Sequence, residues 1–141
     1  MGALPTKTFE VNGSRYRTTL LSAVDGRSLY LRLMKSLAPA LGELADVSEK
    51  SESAILRVAA KAFESLDTKL FDDLCDAFGS VTFALRTGGE DRLDRDGFES
   101  HFAGKYSAMT KWVIELIKLN GMIDFLSEIS PPGAARGSVS K

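Results

Sequence analysis

The residues of this chain that could do chemistry are few and scattered. Asp94-Arg95-Asp96-Gly97 has the look of the middle of a calcium loop. With Gly97 at the invariant glycine position, Arg92 falls on the first ligand position and Ala103 on the last. Calcium needs oxygen ligands at both, so a guanidinium and a methyl group exclude the site. The stretch reads instead as a solvated turn, with Asp96 capping the last helix. His101 is the single histidine, and no second histidine or cysteine lies at ligand spacing, so no metal is expected. It could work as an acid or base with a distant carboxylate, but no local partner marks that role, and packing or hydrogen bonding is the expectation. Cys75 stands among Asp72, Asp73 and Asp76, which disfavour a thiolate, so a structural thiol is expected. Gly88-Gly89 lacks the lysine and hydroxyl residue of a phosphate loop and reads as a turn. No catalytic constellation and no cofactor site emerges.

The elements that would carry these residues are mainly helical. The stretch Phe98 to Leu126 dominates the chain. At helical spacing Phe102, Tyr106, Met109, Val113, Leu116 and Ile117 form one apolar row. Ala108, Trp112, Leu119, Met122 and Leu126 form a second row beside it. The two cover roughly 200° of the helix, where a surface helix needs about 100°. Such a helix wants apolar neighbours on two sides. The first row is expected to face the domain's own core. Trp112, Leu119, Met122 and Leu126 are the candidate partner-binding residues, meeting another subunit or a client.

At the other end, Asn12-Gly13 is the favoured centre of a type I′ hairpin turn, with strands at Thr8 to Val11 and Arg15 to Leu21. A lone hairpin is marginal in water and must pack on something, here the helices. Ser22 with Asp25 resembles a capping box, and Leu29, Leu33, Leu37 and Met34 should point inward from the helix it starts. Pro39 should end or kink that helix near Leu37. A further helix is expected from Ser53, with Ile55, Val58, Phe63 and Leu66 inside and Arg57, Lys61 and Glu64 outside. Asp67 can cap the next, whose stripe runs Leu70, Phe71, Leu74, Ala77, Phe78 to a stop at Gly79. Residues 81–85, VTFAL, are β-like but short, and residues 86–97 read as the clearest loop in the chain. The expected architecture is α+β, mostly α: an N-terminal β-hairpin (8–21) packed on four or five helices (22–130), one domain over residues 1–130. Residues 131–141 are Pro/Gly/Ser/Ala-rich and are expected to be a disordered tail.

Composition sets the outer bounds. The 141 residues suit one domain able to bury a core without staples, and one cysteine excludes an internal disulfide framework. Residues 46–101 hold thirteen Asp/Glu against seven Lys/Arg, between ends of net positive charge. That contrast suits head-to-tail self-association or a basic partner, and equally plain solvated helix faces. There is no basic stripe interleaved with aromatics, so nucleic acid is not indicated. The opening MGALPTKTFEVNGS has no apolar signal-peptide core, and no apolar run approaches a membrane span. A soluble cytoplasmic protein without membrane attachment is the expectation.

Two segments carry a resemblance. KTFEVNGSRYRTTLLSAVDGRSLYLRLMKSLAPAL resembles the opening of the phage tail assembly chaperones of long-tailed phages: a short hairpin around Asn-Gly, then an acid-Gly helix start and an end near proline. FESHFAGKYSAMTKWVIELIKLNG resembles their closing segment, with Phe98, His101-Phe102 and Gly104 before a long apolar helix that reaches Asn120-Gly121. The two pieces span roughly half the chain. Met122 to Leu126 departs from the small-residue and aromatic ending of many members. The resemblance implies a non-enzymatic role in the host cytoplasm: binding the tape-measure protein before the tail tube assembles, with the tail tube protein a further partner. The alternative is a structural or adaptor component retained in the particle. Apolar helices of a client would fit a helix-in-groove surface.

Overall fold

In the computed structural model Asn12 and Gly13 adopt φ of 50° and 88°, the two positive values a type I′ turn requires. They join β1 (Thr6–Val11) to β2 (Ser14–Thr19) in a two-residue hairpin with Val11 opposite Ser14. A second hairpin follows much later in the chain. β3 (Thr82–Arg86) and β4 (Gly89–Arg92) are linked by Thr87-Gly88, with Gly88 at φ 87°. β3 lies against β2, and the four strands form one antiparallel sheet in the order β1-β2-β3-β4. The helices are α1 (Ala23–Asp46), α2 (Thr68–Gly79), α3 (Arg95–Phe102) and α4 (Tyr106–Leu119). The structure describes residues 4–46, 53, 57, 61 and 66–124, and Ser53, Arg57 and Lys61 are helical and exposed.

This corrects the expected architecture. A single hairpin packed on four or five helices is not what forms; a second hairpin joins the first in a four-stranded sheet beside α1 to α4. Residues 86–97, read as a loop, supply the end of β3, a turn, all of β4 and the start of α3. β4 is GEDR, with no apolar alternation to betray it, because its three charged side chains stay exposed. Backbone pairing and two ion pairs hold it: Arg17 with Glu90 at 2.6 Å and Arg86 with Asp91 at 3.0 Å.

One face of the sheet is buried and the other is not. Val11, Tyr16, Thr18, Thr82 and Ala84 alternate into the core. Thr18 and Thr82 are buried without loss because their hydroxyls bond each other at 2.8 Å, and Thr82 also donates to the Phe78 carbonyl. On the outer face Phe83 is half-buried under the Arg17 and Arg92 guanidinium groups, 4.8 and 5.8 Å from its ring centroid. The sheet therefore covers its own outward aromatic.

The helices complete the core with Leu29, Leu33, Leu37, Leu70, Leu74, Phe78, Phe102, Trp112, Val113, Leu116 and Ile117. Ser22 and Asp67 cap α1 and α2 as expected, accepting from the Asp25 and Leu70 backbone N–H groups. The cap of α3 is Asp94, accepting from Gly97 N–H, and Asp96 lies inside its first turn. Pro39 does not end α1, which continues to Asp46. It sits on the exposed face, as does Lys35, so the carbonyl it leaves unbonded is open to water. The stretch from Phe98 is not one helix either. Gly104, at φ 73°, breaks it into α3 and α4, and Tyr106 is left 70% exposed instead of joining the inner row. The side chains of the expected helix after Ser53, apart from the exposed Arg57 and Lys61, and the tail from 131 lie outside the described residues.

Candidate protein-binding surface

Of the titratable side chains singled out by the sequence, Cys75, Asp76 and Asp94 line one cavity of about 310 Å³, and His101 lines another. His101 reaches the sheet, where its Nε2 and the Tyr16 hydroxyl are 2.7 Å apart. Which of the two donates is set by the tautomer of the neutral imidazole. Burial, then the Lys105 charge, lowers the His101 pKa, with Asp91 pulling weakly the other way. Burial likewise raises the Tyr16 phenol. The two rings belong to an aromatic cluster with Phe9, Phe98, Phe102 and Trp112. Cys75 is buried, and burial with Asp72 and Asp76 pushes its thiol up to about 12. No group of three or more His, Cys, Asp or Glu among the described residues is disposed to hold a metal.

The four candidate partner-binding residues fall into different environments. Trp112 is 0% exposed, its indole N–H has no hydrogen-bond partner among the described residues, and it anchors the aromatic cluster. Met122 is 6% exposed and Leu119 half-buried, while Leu126 lies outside the described residues. The position of Met122 is set by the end of α4. Gly121, at φ 74°, donates its N–H to the Lys118 carbonyl, and Met122 N–H returns to the Ile117 carbonyl at 3.1 Å. That pair of bonds is a Schellman motif, and it turns Met122 and Ile123 back onto the core beside Ile117. Asn120 at the cap links two parts of the chain. Its Oδ1 accepts from Leu21 N–H and its Nδ2 donates to the Leu116 carbonyl, both at 2.8 Å.

The link seats the start of α1 against the end of α4 and leaves a groove between them. Its volume is about 210 Å³, with Leu21, Gly26, Tyr30 and Met122 among its lining residues. At Gly26 a Cβ would make ordinary contacts, 3.5 Å from the Leu21 Cβ and from the Met122 methyl, so a small side chain fits there. Beyond the groove the apolar surface of α1 continues. At 100° per residue Tyr30, Ala23, Met34, Ala38, Leu31 and Val24 follow one another around the helix, interrupted by Arg27. With Leu29, Leu33 and Leu37 the apolar arc spans roughly 200°, about twice what packing on one core needs. The described residues leave part of it uncovered: Leu31 is 60% and Val24 67% exposed. α1 thus carries a wide apolar arc of its own, and its apolar residues beyond Leu29, Leu33, Leu37 and Met34 were the signal available to a helical wheel.

No helix among the described residues is long and apolar enough to cross a membrane. No curated protein and no solved structure matches the chain. The family model of the phage tail assembly chaperone protein, TAC, matches residues 12–131, from the type I′ turn to beyond the Asn120 link. The match takes in the first of the segments that carried the resemblance from Asn12 on, α1 with it, and the whole of the second. The chain belongs to the phage tail assembly chaperone family.

Proposed function

We propose that this protein binds the tape-measure protein of a phage tail before tube assembly, in the host cytoplasm and without catalysis. The observation that carries the reading is the uncovered part of the α1 apolar arc, Val24 and Leu31, running into the groove over Met122. Side chains of this size gain about 1.5–3 kcal/mol each on full burial, so a client helix laid along α1 would be held by a few such contacts. Family membership supports the same reading. In it Met122 forms part of the groove, Leu119 lies one residue before the lining Asn120, and Trp112 supports α4 from the core. The tail tube protein is a second proposed partner, met when the client is handed over.

Co-expression with a tape-measure fragment tests this. Wild-type chain is expected to co-purify with the fragment, and Val24→Lys with Leu31→Lys to lose it while keeping native helical circular dichroism. Leu119→Lys is expected to weaken capture. Undiminished capture by the double variant, or recovery of the chain as a fixed component of purified particles, would overturn the proposal. The second outcome would assign it the adaptor role.

A further inference from the structure

The two edges of the sheet are built differently. β4 is four residues long, and its acids are engaged by Arg17 and Arg86. Shortness and charge are how sheets blunt an edge. β1, at the other edge, is a six-residue strand, TKTFEV, with an unbroken register and no proline.

The direction of its backbone groups follows from the turn. Across a two-residue hairpin loop the flanking pair, Val11 and Ser14, exchanges hydrogen bonds, and bonded pairs alternate from there. Phe9 with Tyr16 and Lys7 with Thr18 are then bonded pairs. Leu20 N–H donating to the Pro5 carbonyl at 2.9 Å continues the alternation, and Thr19 N–H donating to the Val81 carbonyl shows the complementary residues of the strand serving β3. The N–H and C=O groups of Thr6, Thr8 and Glu10 therefore point away from β2 in the plane of the sheet. All three residues are exposed, and nothing among the described residues pairs with them in a ladder. Between them Phe9, stacked on Tyr16 at 5.1 Å, remains half-buried with its outer flank open.

We infer that β1 pairs antiparallel with β1 of a second copy about a twofold axis at Phe9, joining the two sheets into one. This is independent of how the client is held. In that register Thr8 and Glu10 of opposite copies exchange backbone hydrogen bonds, Phe9 meets Phe9, and Lys7 meets Val11. Phe9 falls on a non-bonded pair, where Cα atoms approach to about 4.5 Å and side chains are closest. Aromatic pairs across strands are among the more stabilising. The strand carries one lysine and one glutamate, and no like charges come opposite. β4 turned on itself about either acid would oppose like charges, which leaves β1 as the self-complementary edge. An isologous contact of this kind closes as a dimer and does not propagate.

The decisive variant is Thr8→Pro. Its missing N–H is one that β2 never used, so the hairpin should survive while strand addition is blocked. Sedimentation equilibrium of the full chain is expected to show a concentration-dependent dimer for wild type and a monomer for Thr8→Pro with unchanged circular dichroism. Amide hydrogen exchange of wild type supplies an independent reading should the variant misfold. Thr8 and Glu10 amides should become protected only as concentration rises, while those of Lys7, Phe9 and Val11 are protected throughout. A wild type monomeric at several hundred micromolar, or a Thr8→Pro protein that dimerises equally well, would overturn the inference. So would Thr8 and Glu10 protection at every concentration, which would mean the chain covers its own edge. Protection appearing only with an added client segment would assign the edge to that segment instead.

Discussion

Asn120 offers the sharpest test of how the groove is built. Its amide group makes two hydrogen bonds at 2.8 Å, one to Leu21 N–H at the entrance to α1 and one to the Leu116 carbonyl in the last turn of α4. Asn120→Ala removes both and leaves the half-buried Leu21 N–H without its acceptor. Each lost bond costs about 1 kcal/mol net, so the variant should lose about 2 kcal/mol. For a chain of this length the unfolding entropy is about 0.3 kcal/mol/K, which makes that a fall of about 7 °C in melting temperature. Differential scanning calorimetry would measure it. Asn120→Asp separates the two bonds, because it keeps the acceptor for Leu21 but sets a carboxylate against the Leu116 carbonyl at a helix C-terminus, where negative charge is disfavoured. The position raises the carboxyl pKa above its unfolded value, so this variant should be least stable near neutral pH and recover as acid protonates it. A melting temperature for Asn120→Ala within about 1 °C of wild type would refute the link.

Three other outcomes are expected. Gly97→Ala should destabilise by about 2 kcal/mol or more by chemical denaturation, since its Cβ would be driven into the Arg92 carbonyl oxygen, which is backbone and cannot move aside. His101 has a folded pKa below its ordinary 6.5, so the unfolded chain binds the extra proton first as pH falls. Stability should be full above about pH 6.5 and decline from there down to the folded pKa, and His101→Gln, which can still hydrogen-bond to Tyr16, should flatten that slope. Cys75 should resist iodoacetamide at pH 8 in the native protein and react once denatured, because a thiol raised to about 12 holds almost no thiolate there.

What the sequence disclosed followed the strength of the local signal. Asn12-Gly13 specifies its own turn, because few other pairs tolerate two positive φ angles, and it was readable without any tertiary knowledge. Ser22 and Asp67 were legible as caps for the same reason, their side chains bonding backbone only three residues away. β4 was not legible. GEDR has the composition of a loop, and its strand character comes from pairing with β3, which no local pattern encodes. Gly104 was visible as a residue, but whether a glycine breaks a helix or rides within it depends on how Phe102 and Trp112 pack on either side. Pro39 does not end its helix, since an exposed helix face tolerates it. The family was readable from the sequence, and the location of the proposed surface was not. The apolar arc of α1 was present in the sequence, but only the fold shows which part of it the domain leaves uncovered.

The sheet also sets a schedule for synthesis. β2 pairs with β3 more than sixty residues later, Tyr16 rests against Trp112, and Leu21 is tied to Asn120. The first hairpin emerges from the ribosome early and, like any isolated hairpin, is marginal by itself. Its apolar face must wait for α4, which at about 5–20 residues per second is a delay of many seconds. Throughout that interval Phe9 and Tyr16 are open to other nascent chains and to cellular folding factors. A protein whose family attends the assembly of another is, while being made, itself a client.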